Sequence, residues 1–185
     1  MNNVLSVQIL VPFNVAWSSI QRESLILFAL FYKAKTEFGI LMSGQMCDGV
    51  TFRTIAEDLK KAGNGFDQLS FKVYQFRSSV EEKIASKSSD RKRVRDRIDL
   101  KDFRAKISHV ETAYKQCAIG DNTRLYAGLL NCPLNPQEMV SEMKFGLETS
   151  FQEADIWVRR ALSDCNNFCT VSDFEFPILY PPPSR

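Results

Sequence analysis

The sequence predicts a mainly α-helical protein, a multi-helix bundle that opens on a short N-terminal strand. Three observations carry that expectation. Apolar residues recur at three- and four-residue spacing along most of the 185 positions. Polar capping residues precede these stretches, and several glycines follow them. A composition of 44% hydrophobic and 25% charged residues suits a compact chain, because that much apolar side chain offsets the entropy of ordering. With 8 Gly, 7 Pro and 5 Cys, the collagen-like, mucin-like and disulfide-dense classes are excluded. No internal repeat is visible.

Residues 4–11 are aliphatic and rich in β-branched side chains, which predicts the strand, and Pro12 and Asn14 end it. Ser18 and Gln21 form a capping-box pattern. The helix it opens carries Ile20, Leu27, Phe28, Phe31 and Phe38 near one stripe, widened by Leu25 and Leu30, with Gly39 as its C′ residue. Asp48-Gly49 marks a turn, and Thr51 caps a short helix with Phe52, Ile55, Ala56 and Leu59 on one face. Gly63-Asn64-Gly65 reads as a second turn. Asp67 then caps a third helix, with Leu69, Val73, Phe76, Val80 and Ile84 on its apolar face. A serine-rich, charged stretch, residues 86–97, divides the chain into a region 1–86, a basic linker 87–98 and a region 99–185, the whole being compatible with one continuous domain. Asp99 caps a helix marked by Leu100, Phe103, Ile107, Val110 and Tyr114, ending near Gly120, and Asp121 starts a short helix through Leu130. Asn135-Pro136-Gln137-Glu138 is the clearest helix start in the chain, and the helix runs to about Asp164. Gly146 within it marks close packing or a bend. Residues 174–180 are extended by composition, and Pro181, Pro182 and Pro183 impose polyproline II.

The net charge of +2 conceals an asymmetry. Residues 51–110 carry fifteen basic and nine acidic side chains, residues 111–185 six and ten. The excess concentrates in Lys83, Lys87, Arg91, Lys92, Arg93, Arg95 and Arg97, opposed within that stretch only by Asp90 and Asp96. Such a cluster raises the local potential and attracts phosphate, for which arginine offers a bidentate fork. A solvated linker kept soluble by its charge is the competing reading.

From Gln21 to Ile84 the expected order is helix, loop, short helix, glycine turn, helix, which resembles winged-helix DNA-binding domains in element order. The third helix is then the reader. Lys72, Gln75, Arg77, Ser78 and Ser79 lie off its apolar stripe, where such side chains meet phosphates and base edges.

Catalytic signatures are absent. His109 is the single histidine, and on a continuous helix Cys117 sits about 12 Å from it, too far for thiolate activation. There is no Gly-x-x-x-x-Gly-Lys loop, Gly-x-Gly-x-x-Gly or Gly-x-Ser-x-Gly. Glu57-Asp58 and Glu81-Glu82 are adjacent acids that point to different helix faces, so a metal nuclease needs carboxylates from distant parts of the chain. Cys165 and Cys169 are spaced as a zinc half-site, but small apolar core residues are the simpler reading. No cofactor and no metal are expected.

An odd number of cysteines at no framework spacing favours reduced thiols and a cytoplasmic home. No secretory leader is recognised, and the eight-residue apolar run at 25–32 is too short for a bilayer, which needs about 20 residues. Phe174, Phe176 and Tyr180 beside the prolines are a candidate partner-binding patch, with a strap across the protein's own core as its alternative. The expectation is a non-enzymatic, nucleic-acid-associated subunit with a protein partner or a second copy of itself, and no membrane. A protein–protein adaptor ranks second and a metal-dependent nuclease third.

Overall fold

The computed structural model describes the backbone of residues 2–45, 48–87, 90–119 and 121–175, and the side chains of residues 15–45, 48–82, 103–118 and 124–168. Five α-helices occur among them: α1 (Asn2–Met42), α2 (Phe52–Lys87), α3 (Asp90–Ile119), α4 (Asp121–Leu130) and α5 (Ser141–Glu175). A short 3₁₀ turn, Pro136–Glu138, precedes α5.

The helices form a bundle because their apolar residues repeat in sevens. Along α2 Phe52, Leu59, Phe66, Val73 and Val80 form one series, and Ile55, Ala62, Leu69 and Phe76 the other, all buried. The same period places Trp17, Ser24, Phe31 and Phe38 on α1 and Leu147, Ala154, Ala161 and Phe168 on α5 in the interior. On α3 it buries Phe103, Val110 and Cys117, with Ile107 and Tyr114 between them. A seven-residue period keeps one seam facing inward along nearly antiparallel helices that cross at about 20°.

Paired contacts run in opposite directions along each seam. Between α1 and α2, Phe38 faces Phe52 at 6.2 Å while Trp17 faces Phe76 at 5.0 Å. Between α2 and the α3–α4 segment, Phe76 meets Phe103 at 6.3 Å, Phe66 stacks on Tyr114 at 6.1 Å and Lys60 lies over Tyr126 at 5.5 Å. α5 closes the bundle against α1, with Phe38 and Phe151 4.9 Å apart and Trp17 and Phe168 4.4 Å apart. α3 and α4 together act as the third helix of the bundle. Leu125 and Leu129, both buried, are one position out of the α3 register.

Several expected elements are different in the structure. Residues 4–11 belong to α1, not to a strand, and among the described residues there is no strand. A short aliphatic run fits either element, and here a long helix absorbs it. Ser18 and Gln21 therefore lie inside α1. The helix ends at Gly44, not Gly39: Gly44 has φ +82, its N–H donates to Leu41 O at 3.2 Å, and Gln45 N–H donates to Ile40 O at 3.3 Å, the two bonds of a Schellman end.

The expected helix-turn-helix does not form. Gly63, Asn64, Gly65 and Asp67 are internal to α2, whose heptad register passes through them without a break. Gly65 has a packing reason: a Cβ there would lie 2.4 Å from Leu27 Cδ2. The missing side chain lets α1 seat Leu27 against α2, and this contact offsets the roughly 1 kcal/mol by which glycine disfavours a helix.

Thr51 does cap α2. Its hydroxyl accepts from Thr54 N–H at 3.2 Å, and Thr54 Oγ1 accepts from Thr51 N–H at 2.9 Å. Of the expected linker 87–98, Lys87 ends α2 and residues 90–98 are the first turns of α3, so Asp99 is internal to a helix; residues 88 and 89 lie outside the described residues. Asn135 does cap, its Oδ1 accepting from Gln137 N–H at 3.0 Å, but what it caps is the 3₁₀ turn, and α5 starts at Ser141. A Cβ at Gly146 would meet no atom within 4 Å beyond its own helix backbone and chain neighbours; the close approach is at Gly128, where a Cβ would lie 2.9 Å from Leu147 Cδ2. α5 extends to Glu175, so Phe174 has helical backbone, whereas Phe176, Tyr180 and the three prolines lie outside the described residues.

Two buried hydroxyls among the described residues, those of Tyr32 and Tyr114, have no hydrogen-bond partner. The Tyr114 hydroxyl is buried without a hydrogen bond, close to Ser24 and Cys165. An unpaired buried hydroxyl costs about 1–3 kcal/mol. Tyr114→Phe keeps the ring against Phe66 and removes that cost, so it is expected to raise the denaturant midpoint by the equivalent of about 1 kcal/mol. A lowered midpoint would mean that the hydroxyl is satisfied in solution.

Candidate nucleic-acid interface

The outer surface where α2 lies against α3 gathers the chemistry most relevant to a polyanion. Phe71, Tyr74 and Arg77 follow one another at three-residue steps along α2, on the side away from the heptad seam. Phe71 is 59% exposed and Tyr74 46% exposed, and their rings are roughly parallel, 28° apart in plane and 6.4 Å between centroids. The Arg77 guanidinium lies 5.2 Å from the Tyr74 ring centroid, within cation–π range. Three π-bearing groups thus form a ladder on the surface.

Two hollows flank the ladder. One of about 850 Å³ is lined by Phe71, Lys72, Tyr74, Gln75, Glu111 and Lys115 among others. A second, about 530 Å³, shares Tyr74 and Arg77 and continues past Ser78 and Glu81 to Arg104 and Ser108. Since Glu81 and Arg104 are nearer the end of α2 and the start of α3 than Phe71 is, the groove leads toward that end of the bundle.

The groove's cations are held by carboxylates. Lys72 Nζ is 2.6 Å from Glu23 Oε1 on α1. Arg77 approaches Glu111 at 3.7 Å and Glu81 at 3.9 Å, Arg104 lies 2.9 Å from Glu81, and Lys115 lies 3.1 Å from Glu111. Lys72, Lys115 and Arg104 are about half exposed, and ion pairs of that kind contribute only about 0–1 kcal/mol each. They fix the side chains in place and yield readily to a competing anion.

Of the residues singled out by sequence, Lys72, Gln75, Ser78 and Ser79 are exposed on α2 and Arg77 is half-buried there. Lys83 and Lys87 lie in the last turns of α2, and Arg91, Lys92, Arg93, Arg95 and Arg97 in the first turns of α3, so one end of the bundle carries all seven. Their side chains are outside the described residues, as is that of Phe174. Phe71, Tyr74, Arg104 and Lys115 escaped the sequence reading. Aromatic residues standing outside the heptad positions were the available signal.

Elsewhere the chemistry is quiet. Burial pushes the Cys117 thiol up to about 12 and the Cys132 thiol up to about 11, so both stay protonated near neutrality. His109 is exposed while Cys117 is buried. Among the described residues no three His, Cys, Asp or Glu side chains are grouped to hold a metal ion, and no helix is long and apolar enough to cross a membrane. No protein-family model, curated protein or solved structure matches this chain.

Proposed function

We propose that the protein is a cytoplasmic, non-enzymatic subunit that holds the phosphate backbone of a nucleic acid at the α2–α3 end of its bundle. The observation that carries this reading is the end of α2 and the start of α3, where residues 83–97 include seven cations and only two aspartates. Five of those cations occupy the first two turns of α3, where the helix dipole is itself positive. A segment built this way is self-repulsive in the free protein, and a polyanion relieves the repulsion. The odd number of cysteines at no framework spacing is in keeping with a reducing compartment.

The test is a fluorescence-anisotropy titration of labelled oligonucleotides at several salt concentrations. Wild-type affinity is expected to fall linearly in log–log form as salt rises. Replacing Arg91, Lys92, Arg93 and Arg95 together by Glu is expected to weaken binding at least tenfold and to flatten that dependence. Unchanged binding by the variant would overturn the proposal.

A protein–protein adaptor is the second reading, favoured by the opposite end of the bundle. There Leu134 is fully exposed and Val140 and Phe145 are largely so, near a hollow of about 340 Å³ lined by Leu41, Val50, Phe52 and Pro136. Wild-type protein that retains no nucleic acid near 0.15 M salt would transfer the assignment to this reading.

A further inference from the structure

We infer that the Phe71–Tyr74–Arg77 ladder is a stacking platform for unpaired bases, so that the nucleic acid this protein holds is single-stranded. The inference rests on the proposed polyanion binding and adds the form of its ligand. Most aromatic side chains in the described bundle are spent on the core or its edge, including Phe31, Phe38, Phe66, Phe76, Phe103 and Phe151. Phe71 and Tyr74 are not. Each keeps about half of its surface in water, and both line the larger hollow.

The surroundings decide what kind of face this is. A docking site for an apolar helix is bordered by further aliphatic side chains, whereas Phe71 and Tyr74 share their hollow with polar and charged side chains of both signs, Lys72, Arg77 and Lys115 beside Asp67 and Glu111, and with the amides of Gln68 and Gln75. Flat rings interleaved with cations and amides match a strand whose bases stack and whose phosphates need neutralising. Bases in a duplex already stack on one another and present only edges and backbone, so a ring face on a helix surface gains little from them.

The geometry joins the platform to the basic end. Lys83 is nine residues beyond Tyr74, about 14 Å along α2. A strand stacked on the ladder therefore continues along the second hollow, past Arg104, to the cationic end. Glu81 and Glu111 keep Arg77 against the Tyr74 ring and leave phosphate contact mainly to that end.

The experiment compares wild type with Phe71→Ala/Tyr74→Ala, binding an oligothymidylate of about 20 nucleotides and a hairpin duplex of similar charge. Both side chains are exposed, and unchanged helical circular dichroism and melting verify the fold. The double variant is expected to lose about tenfold or more for oligothymidylate and to change little for duplex, with the salt dependence retained. A Phe71→Leu/Tyr74→Leu variant, apolar but without ring faces, is expected to lose as much. Three results overturn the inference: unchanged oligothymidylate binding by the alanine variant, equal losses for strand and duplex, or rescue by leucine. If the fourfold Glu variant meanwhile abolishes binding, the polyanion reading survives that failure. If wild type binds neither probe, both fall together.

Discussion

Trp17→Ala is expected to lower the free energy of unfolding by about 4 kcal/mol, a large fraction of the 5–15 kcal/mol typical of a domain. Trp17 is 3% exposed on α1 and reaches into the core toward α2 and α5, where its ring meets Phe76 and Phe168. Phe103 of α3 packs against both of those partners, at 6.3 Å and 5.6 Å, so four helices share this cluster. The indole Nε1–H also donates to Cys165 O at 3.2 Å. Truncation leaves a cavity with phenylalanine walls that cannot collapse without moving a helix, and it removes that donor. Trp17→Phe keeps a ring in place and is expected to lose only about 1–2 kcal/mol, chiefly the hydrogen bond and part of the volume. Guanidinium unfolding followed by helical circular dichroism measures both, with the midpoint falling and the slope nearly constant. A loss under about 1 kcal/mol for Trp17→Ala would show that the cluster closes without its indole.

Gly65→Val is expected to destabilise the bundle by about 2–3 kcal/mol, although valine is a better helix former than glycine. The opposing term is steric. Three Leu27 atoms, Cδ2, Cδ1 and Cγ, lie 2.4, 2.9 and 3.2 Å from where the new Cβ would be. Leu27 packs against the core and has to leave its place, or α1 has to move away from α2. Leu27→Ala clears the obstruction, so the pair Gly65→Val with Leu27→Ala is expected to be at least about 1 kcal/mol more stable than the sum of the two single changes. Additive effects would mean that the helices do not approach at this point.

The difference between the expected and observed α2 is instructive about what a sequence displays. Thr51, Asp48-Gly49 and the apolar faces of residues 52–59 and 69–80 were legible, because capping chemistry and periodicity are local. Gly63 and Gly65 read as a turn because glycine's backbone freedom is also local, whereas the packing reason for Gly65 is Leu27, 38 positions earlier in the chain. A register carried in sevens through both glycines was the counter-signal: a turn would have shifted it. Likewise Asn135 shows real capping chemistry, but nothing near it reveals that the turn it caps ends before α5 begins. For the interface, counting charges located the basic end. Phe71 and Tyr74 were missed because their meaning lies in being exposed, a property that depends on which neighbouring helix covers which face.

The order of the seams has a consequence for how the chain reaches its native state. α1 pairs with α2, α2 with the α3–α4 segment, and that segment with α5, so nearly every contact joins neighbours in sequence across a short connection. Among the described residues the α1–α5 seam joins the two helices that lie farthest apart in the chain. Low contact order of this kind lets helical hairpins zip before any large loop is closed, the wiring of rapidly folding proteins. The last seam to shut is then the one that Trp17 and Phe168 fasten.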